Sequence, residues 1–247
     1  MKELKLIHIT KCGGTSIENI GKKNGKLWGT FHKEYACNSC SHSHTVFKYI
    51  NKEIQLKYDW FTVVRNPYER ILSEFYCKWG GIGSYEKSVP LVKEECNKFL
   101  ISKIKNYSGF GYHYTPQFFY LENDYDIDIK ILKLENLKED FNNLMKDYDY
   151  DIKLTNHDNK SNKRSFKISD FSEELIDLIN VVYKKDFELF GYKMMDLKKD
   201  KEENVQIELE EINLNDLDVQ EKKIKPQNIK KKQQNKKTNN FKMIKLI

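Results

Sequence analysis

The sequence predicts an α/β fold with a mostly parallel central sheet flanked by helices, and three observations point there. Residues 4–9 and 60–64 are short apolar runs, and each passes directly into a turn that can start a helix. A third expected strand spans 129–134, and apolar residues at helical spacing fill the segments between. Continuous apolar strands are buried on both faces, and parallel strands need crossover connections. The expected strands are therefore 4–9, 60–64 and 129–134. The expected helices are 15–21, 67–79, 91–105, 136–147 and 173–187. In folds of this class a ligand binds beyond the C-terminal ends of the strands.

The turn after the first strand reads Lys11-Cys12-Gly13-Gly14-Thr15-Ser16. The two glycines let the backbone bend sharply and approach a ligand with no Cβ in the way. A helix beginning at Thr15 or Ser16 offers unpaired N–H groups and a dipole that favour an anion. Lys11 adds a point charge and the two hydroxyls add donors. The lysine precedes the glycines and no Gly-Lys-Ser/Thr follows, which departs from the G-x-x-x-x-G-K-[ST] loop of nucleoside-triphosphate kinases. A nucleotide-dependent kinase of that type is the weaker alternative.

The second strand ends at Arg65. Asn66 suits an N-cap and Pro67 the first helical position. Tyr68, Ile71, Leu72, Phe75, Tyr76 and Trp79 recur at helical spacing, so that face is expected in the core, with Glu69 and Ser73 off the stripe. Arg65 can fork onto a phosphate, and Ser73, two turns along, can add a hydroxyl donor. Two such turns side by side suit a ligand with phosphate at both ends.

Together these segments resemble the cofactor motifs of the PAPS-dependent sulfotransferases, especially the Golgi-type carbohydrate sulfotransferases. Lys11, Gly13, Gly14, Thr15 and Ser16 match a K-x-G-[GS]-T-S loop, with Cys12 where the family often has threonine. Arg65, Pro67, Arg70 and Ser73 match an R-x-P-x-x-R-x-x-S segment. Residues 114–121 look like a P-Q-x-x-[YF]-L stretch, 131–141 like a strand followed by E-N-L-x-x-D, and 182–192 like a closing Y-x-x-D-x-x-x-F-x-Y helix. Asn159, Lys160 and Ser161 are similar to an N-x-S loop that closes over the nucleotide.

The resemblance covers roughly residues 4–195 in order. It implies a P-loop-like three-layer fold. It also implies PAPS (3′-phosphoadenosine 5′-phosphosulfate) as sulfuryl donor and adenosine 3′,5′-bisphosphate as product. The first loop, Cys12 included through its backbone, would hold the 5′-phosphosulfate, and Arg65 and Ser73 the 3′-phosphate. The acceptor it implies is a hydroxyl, expected on a glycan or glycoconjugate.

Between the two turns lies Cys37-Asn38-Ser39-Cys40-Ser41-His42-Ser43-His44. C-x2-C followed by H-x-H offers four soft ligands, and a zinc-dependent nucleic-acid-binding module is one reading. Ligand pairs this close strain a tetrahedron, so no metal is expected. The glycosaminoglycan uronyl sulfotransferases are similar here, with an H-x-H element carrying a catalytic base. By position His44 corresponds to that base and His42 to its neighbour. An imidazole suits the task because its ordinary pKa lies near neutrality.

Of the 247 residues, 1–196 read as one globular domain and 197–247 as a charged low-complexity tail. Residues 200–221 carry nine acids against one lysine and 222–247 carry ten lysines and no acid, a composition expected to stay disordered. That lysine block is the one segment suited to nucleic acid. No apolar run reaches membrane-spanning length and no signal pattern opens the chain. Five cysteines, an odd number, fit a reducing compartment, and the expected location is the cytoplasm.

Overall fold

The computed structural model describes residues 2–29, 44–83, 92–107, 113–154 and 164–196. Among these, three parallel strands form one sheet in the order β1 (Leu4–Ile7), β2 (Asp59–Val64), β3 (Ile129–Lys133). Leu4 pairs with Asp59 and Ile7 with Thr62, while Trp60 pairs with Ile129 and Val64 with Lys133. The helices are α1 (Gly14–Lys23), α2 (Lys52–Lys57), α3 (Pro67–Phe75), α4 (Lys93–Lys105), α5 (Gln117–Leu121), α6 (Leu137–Asp147), α7 (Glu173–Val182) and α8 (Lys184–Phe190). This is the α/β fold the sequence predicts. No described helix is long and apolar enough to cross a membrane.

Both faces of β2 are covered, which explains its unbroken apolar run. Phe61 meets the Trp28 ring at 5.8 Å, and Trp28 in turn meets Phe141 of α6. Trp60 is one residue earlier and so points the opposite way, to Phe47 at 4.9 Å and Tyr58 at 6.3 Å. A second apolar cluster joins Tyr68, Ile71 and Phe75 of α3 to Leu100 of α4, Ile179 of α7 and Phe187 of α8. α3 therefore contributes buried residues all around its axis, and Ser73, expected off the core stripe, is itself buried.

Several boundaries differ from expectation. Asn66 caps α3 by accepting from the Tyr68 N–H, with Pro67 at the first position as expected. The helix stops at Phe75 rather than running to 79, because residues 77–83 fold back on its end. Gly81 donates to the Cys77 carbonyl and Ile82 to that of Phe75, and a Cβ at Gly81 would overlap the Phe75 and Glu74 carbonyl oxygens. Trp79, expected in the core, is consequently 77% exposed. The helix expected over 173–187 breaks at Tyr183, whose hydroxyl donates to the Tyr114 carbonyl at 2.6 Å. The short helices α2 and α5 were too brief for a periodic signal. The tail lies outside the described residues.

One buried charge binds three segments of this fold together. Arg70 is fully buried and donates through Nε to the Thr10 carbonyl at 3.0 Å, through Nη2 to Thr10 Oγ1 at 2.7 Å and through Nη1 to the Thr115 carbonyl at 2.7 Å. Its countercharge is Glu74, 3.8 Å away and equally buried. Removing one member of such a pair strands the other in a low-dielectric interior. Arg70→Met is expected to lose about 3–5 kcal/mol of stability, measured by urea denaturation. A loss below about 1 kcal/mol would contradict this role.

Candidate active site

The turn after β1 is built from backbone in the left-handed region. Lys11 has φ +59° and Gly13 φ +83°, the latter a conformation glycine adopts without steric cost. The Gly13 carbonyl accepts from the Ser16 N–H at 3.0 Å and so opens α1. The first N–H groups of a helix have no partner within it, and they project toward the turn. Gly14 cannot carry a side chain, because a Cβ there would overlap the His8 ring. Around this loop Thr15 is exposed, Lys11 and Ser16 are half-buried and Cys12 is buried.

The second turn adjoins the first. Arg65, at the end of β2, directs Nη1 to the Lys11 carbonyl at 3.5 Å and Nη2 to Glu69 at 3.0 Å. The side chain of Gln117 fastens the pair of turns from behind. Its Oε1 accepts from the Arg65 N–H at 2.9 Å and from Cys12 Sγ at 3.2 Å, and its Nε2 donates to the Arg65 carbonyl. Asp186 of α8 holds Gln117 in turn, accepting from the backbone N–H groups of Gln117 and Phe118 at 2.8 Å each. Burial pushes the Cys12 thiol up to about 12, so it stays a neutral donor to that amide.

A row of imidazoles flanks the first turn. His8 and His44 meet edge to face at 4.6 Å, and His44 and His113 at 6.3 Å. Each is oriented through Nδ1. His44 Nδ1 contacts the His8 carbonyl at 3.0 Å. A carbonyl only accepts, so Nδ1 carries the hydrogen and the lone pair lies on Nε2. His113 Nδ1 sits 2.6 Å from the Glu74 carboxylate. Burial pushes Glu74 up, but the His113 bond and Arg70 outweigh it and hold the carboxyl below its usual value. His8 Nδ1 sits 3.0 Å from Glu18, both buried.

Sequence reasoning placed Lys11, Cys12, Gly13, Gly14, Thr15, Ser16 and Arg65 on adjoining turns, and the structure brings them together. Ser73 lies within α3, nine-tenths buried. His42, Asn159, Lys160 and Ser161 lie outside the described residues, as do Cys37 and Cys40 of the zinc reading. Missed were His8, Glu18, Glu74 and the Gln117–Asp186 support. Gln117 and Asp186 stood inside quoted motifs, but a side chain that binds distant backbone leaves no periodic trace. Glu74, Cys77 and His113 place three metal-type donor atoms within 4.8 Å of one another. There the Glu74 charge is already matched by Arg70, and a cation would displace the Nδ1 hydrogen of His113.

Burial sets the titration of His8, His44 and Glu18. It lowers His8 and His44 from 6.5 to about 4 and raises Glu18 from 4.5 to about 8. Between pH 4.5 and 8 the native state holds a proton at Glu18 that the unfolded chain lacks, so that group loses stability as pH rises. Between pH 4 and 6.5 the unfolded chain holds two histidine protons that the native state lacks, so those groups lose stability as pH falls. Melting temperature is expected to peak near pH 6.5, and Glu18→Gln to flatten the decline toward pH 8. A wild-type curve that rises from pH 6.5 to 8 would contradict this assignment.

Residues 2–193 match the model of a family described as the sulfotransferase family. No curated protein and no solved structure gives a significant match.

Proposed function

This chain belongs to the sulfotransferase family, and we propose that it moves the sulfuryl group of PAPS to a carbohydrate hydroxyl, with His44 as the general base. The observation that carries the reading is the 3.5 Å approach of the Arg65 guanidinium to the Lys11 carbonyl. It sets two cationic βα turns side by side, a spacing suited to one ligand with phosphate at each end. Lys11, Gly13, Gly14, Thr15, Ser16 and the Cys12 backbone take the 5′-phosphosulfate. Arg65 and Ser73 take the 3′-phosphate, and Asn159, Lys160 and Ser161 close over the nucleotide.

PAPS supplies an activated sulfur bonded through oxygen to a phosphate leaving group. The acceptor oxygen attacks that sulfur in line while its proton passes to His44 Nε2. The bridging S–O bond breaks and its electron pair remains on the 5′-phosphate of adenosine 3′,5′-bisphosphate. Negative charge grows on that bridging oxygen, beside Lys11 and the N-terminus of α1, where fixed donors favour the transition state. No metal is required by this charge balance. His44 suits its role because its Nδ1–H is tied to the His8 carbonyl, which leaves the lone pair on Nε2. Burial keeps the ring neutral at pH 7.

Thiols at Cys12, Cys77 and Cys96 are free, in keeping with a reducing compartment, and the cytoplasm is the proposed location.

His44→Gln is expected to lower turnover by about 10²–10⁴-fold, the range of a general base. Assayed with labelled PAPS against a panel of glycans, the variant should still show the melting-temperature rise that adenosine 3′,5′-bisphosphate gives the wild type. Turnover within about threefold of wild type would remove His44 from this role.

A further inference from the structure

The turn that ends α3 reaches the imidazole row at His113, and it carries an exposed indole. Trp79 is 77% exposed on a turn braced by three backbone hydrogen bonds, from Gly81 and Gly83 to Cys77 and from Ile82 to Phe75. The Lys78 ammonium lies 4.7 Å from the centre of that indole ring. Gly80, the next residue, abuts His113, for a Cβ there would come within 2.8 Å of the imidazole Cγ. The Tyr114 hydroxyl donates to the Gly80 carbonyl at 3.1 Å and fixes the same contact from the other side. Trp79 is thus the chain neighbour of the glycine that abuts His113, whose ring meets that of the proposed base.

The chemistry of this row is specific. The Glu74 carboxylate accepts the Nδ1 hydrogen of His113, which leaves Nε2 as the ring nitrogen able to meet a ligand. Two imidazoles with 6.3 Å between ring centres then present two nitrogens that can hydrogen-bond hydroxyls. Adjacent hydroxyls of a sugar lie about one hydrogen-bond length apart, so one can meet each imidazole. A sugar also has an apolar C–H face, and a solvent-facing indole is the flat partner for it.

We propose that His113 and Trp79 form the acceptor subsite, taking a sugar ring with two adjacent hydroxyls. His113 hydrogen-bonds the hydroxyl beside the one that is sulfated, and Trp79 stacks on the ring. This rests on the reading of His44 as base. His113 is a positioning residue, and Glu74 fixes its orientation.

The test is calorimetric titration of the full-length protein, with adenosine 3′,5′-bisphosphate present, against unsulfated chondroitin as the sugar probe. Wild type should bind, and Trp79→Ala, exposed and outside the core, should weaken chondroitin binding by roughly tenfold. His113→Leu should do the same, and His113→Gln should recover most of the loss, since its amide can hydrogen-bond a hydroxyl in place of the imidazole. Affinity for adenosine 3′,5′-bisphosphate should stay within about twofold in all three. Chondroitin binding unchanged in Trp79→Ala, no recovery in His113→Gln, or no binding by wild type would each overturn the subsite. The nucleotide titration in the same series reports separately on the cofactor reading.

Discussion

The Arg70 guanidinium is the constraint on which the site depends. It reaches the last residue before the glycine turn through Thr10, the segment ahead of α5 through Thr115, and Glu74 one turn along its own helix. Each contact fixes something the chemistry uses. Thr10 sets where Lys11 leaves the strand. Thr115 sets the segment that carries His113 and Gln117. Glu74 orients the His113 ring. A buried ion pair of this kind adds little net stability over an apolar pair of the same shape. Its contribution is register, because the fixed fork of the guanidinium meets Thr10 and Thr115 together in this one arrangement.

Protons are distributed along the imidazole row by the same logic of burial and partner. The carbonyl acceptor at Nδ1 of His44 leaves the lone pair of that neutral ring on Nε2, and the Glu74 carboxylate accepts the Nδ1 hydrogen of His113. At the far end His8 packs on Gly14 and meets Glu18, so the position of α1 and the state of that pair are linked through one glycine. The site therefore sets the cationic groups of two turns beside a row of imidazoles, two of them kept neutral by burial.

The sheet and most helices were legible because their signals are local. Residues 60–64 form a continuous apolar run since Trp60 and Phe61 face opposite covered sides, and Pro67 after Asn66 announces a helix start. The glycine turn after β1 was legible too, because left-handed backbone at Gly13 and a ring packed on Gly14 both demand glycine. What failed was anything decided at a distance. Trp79 fits the stripe of α3 by spacing, yet Gly81 lets the chain fold over the helix end and turns the indole outward. Tyr183 continues a helical pattern, but its hydroxyl is drawn to the Tyr114 carbonyl and the helix breaks. The pairing of Glu74 with His113 joins residues 39 apart and has no counterpart in local spacing.

The central claim is that one nucleotide bridges the two turns, its 5′-phosphate at Lys11 and its 3′-phosphate at Arg65. Phosphorus NMR of bound adenosine 3′,5′-bisphosphate resolves the two groups and tests this directly. Lys11→Ala should shift chiefly the 5′ resonance and Arg65→Ala chiefly the 3′ resonance, relative to wild type. Both substitutions moving the same resonance, or neither moving any, would contradict the account.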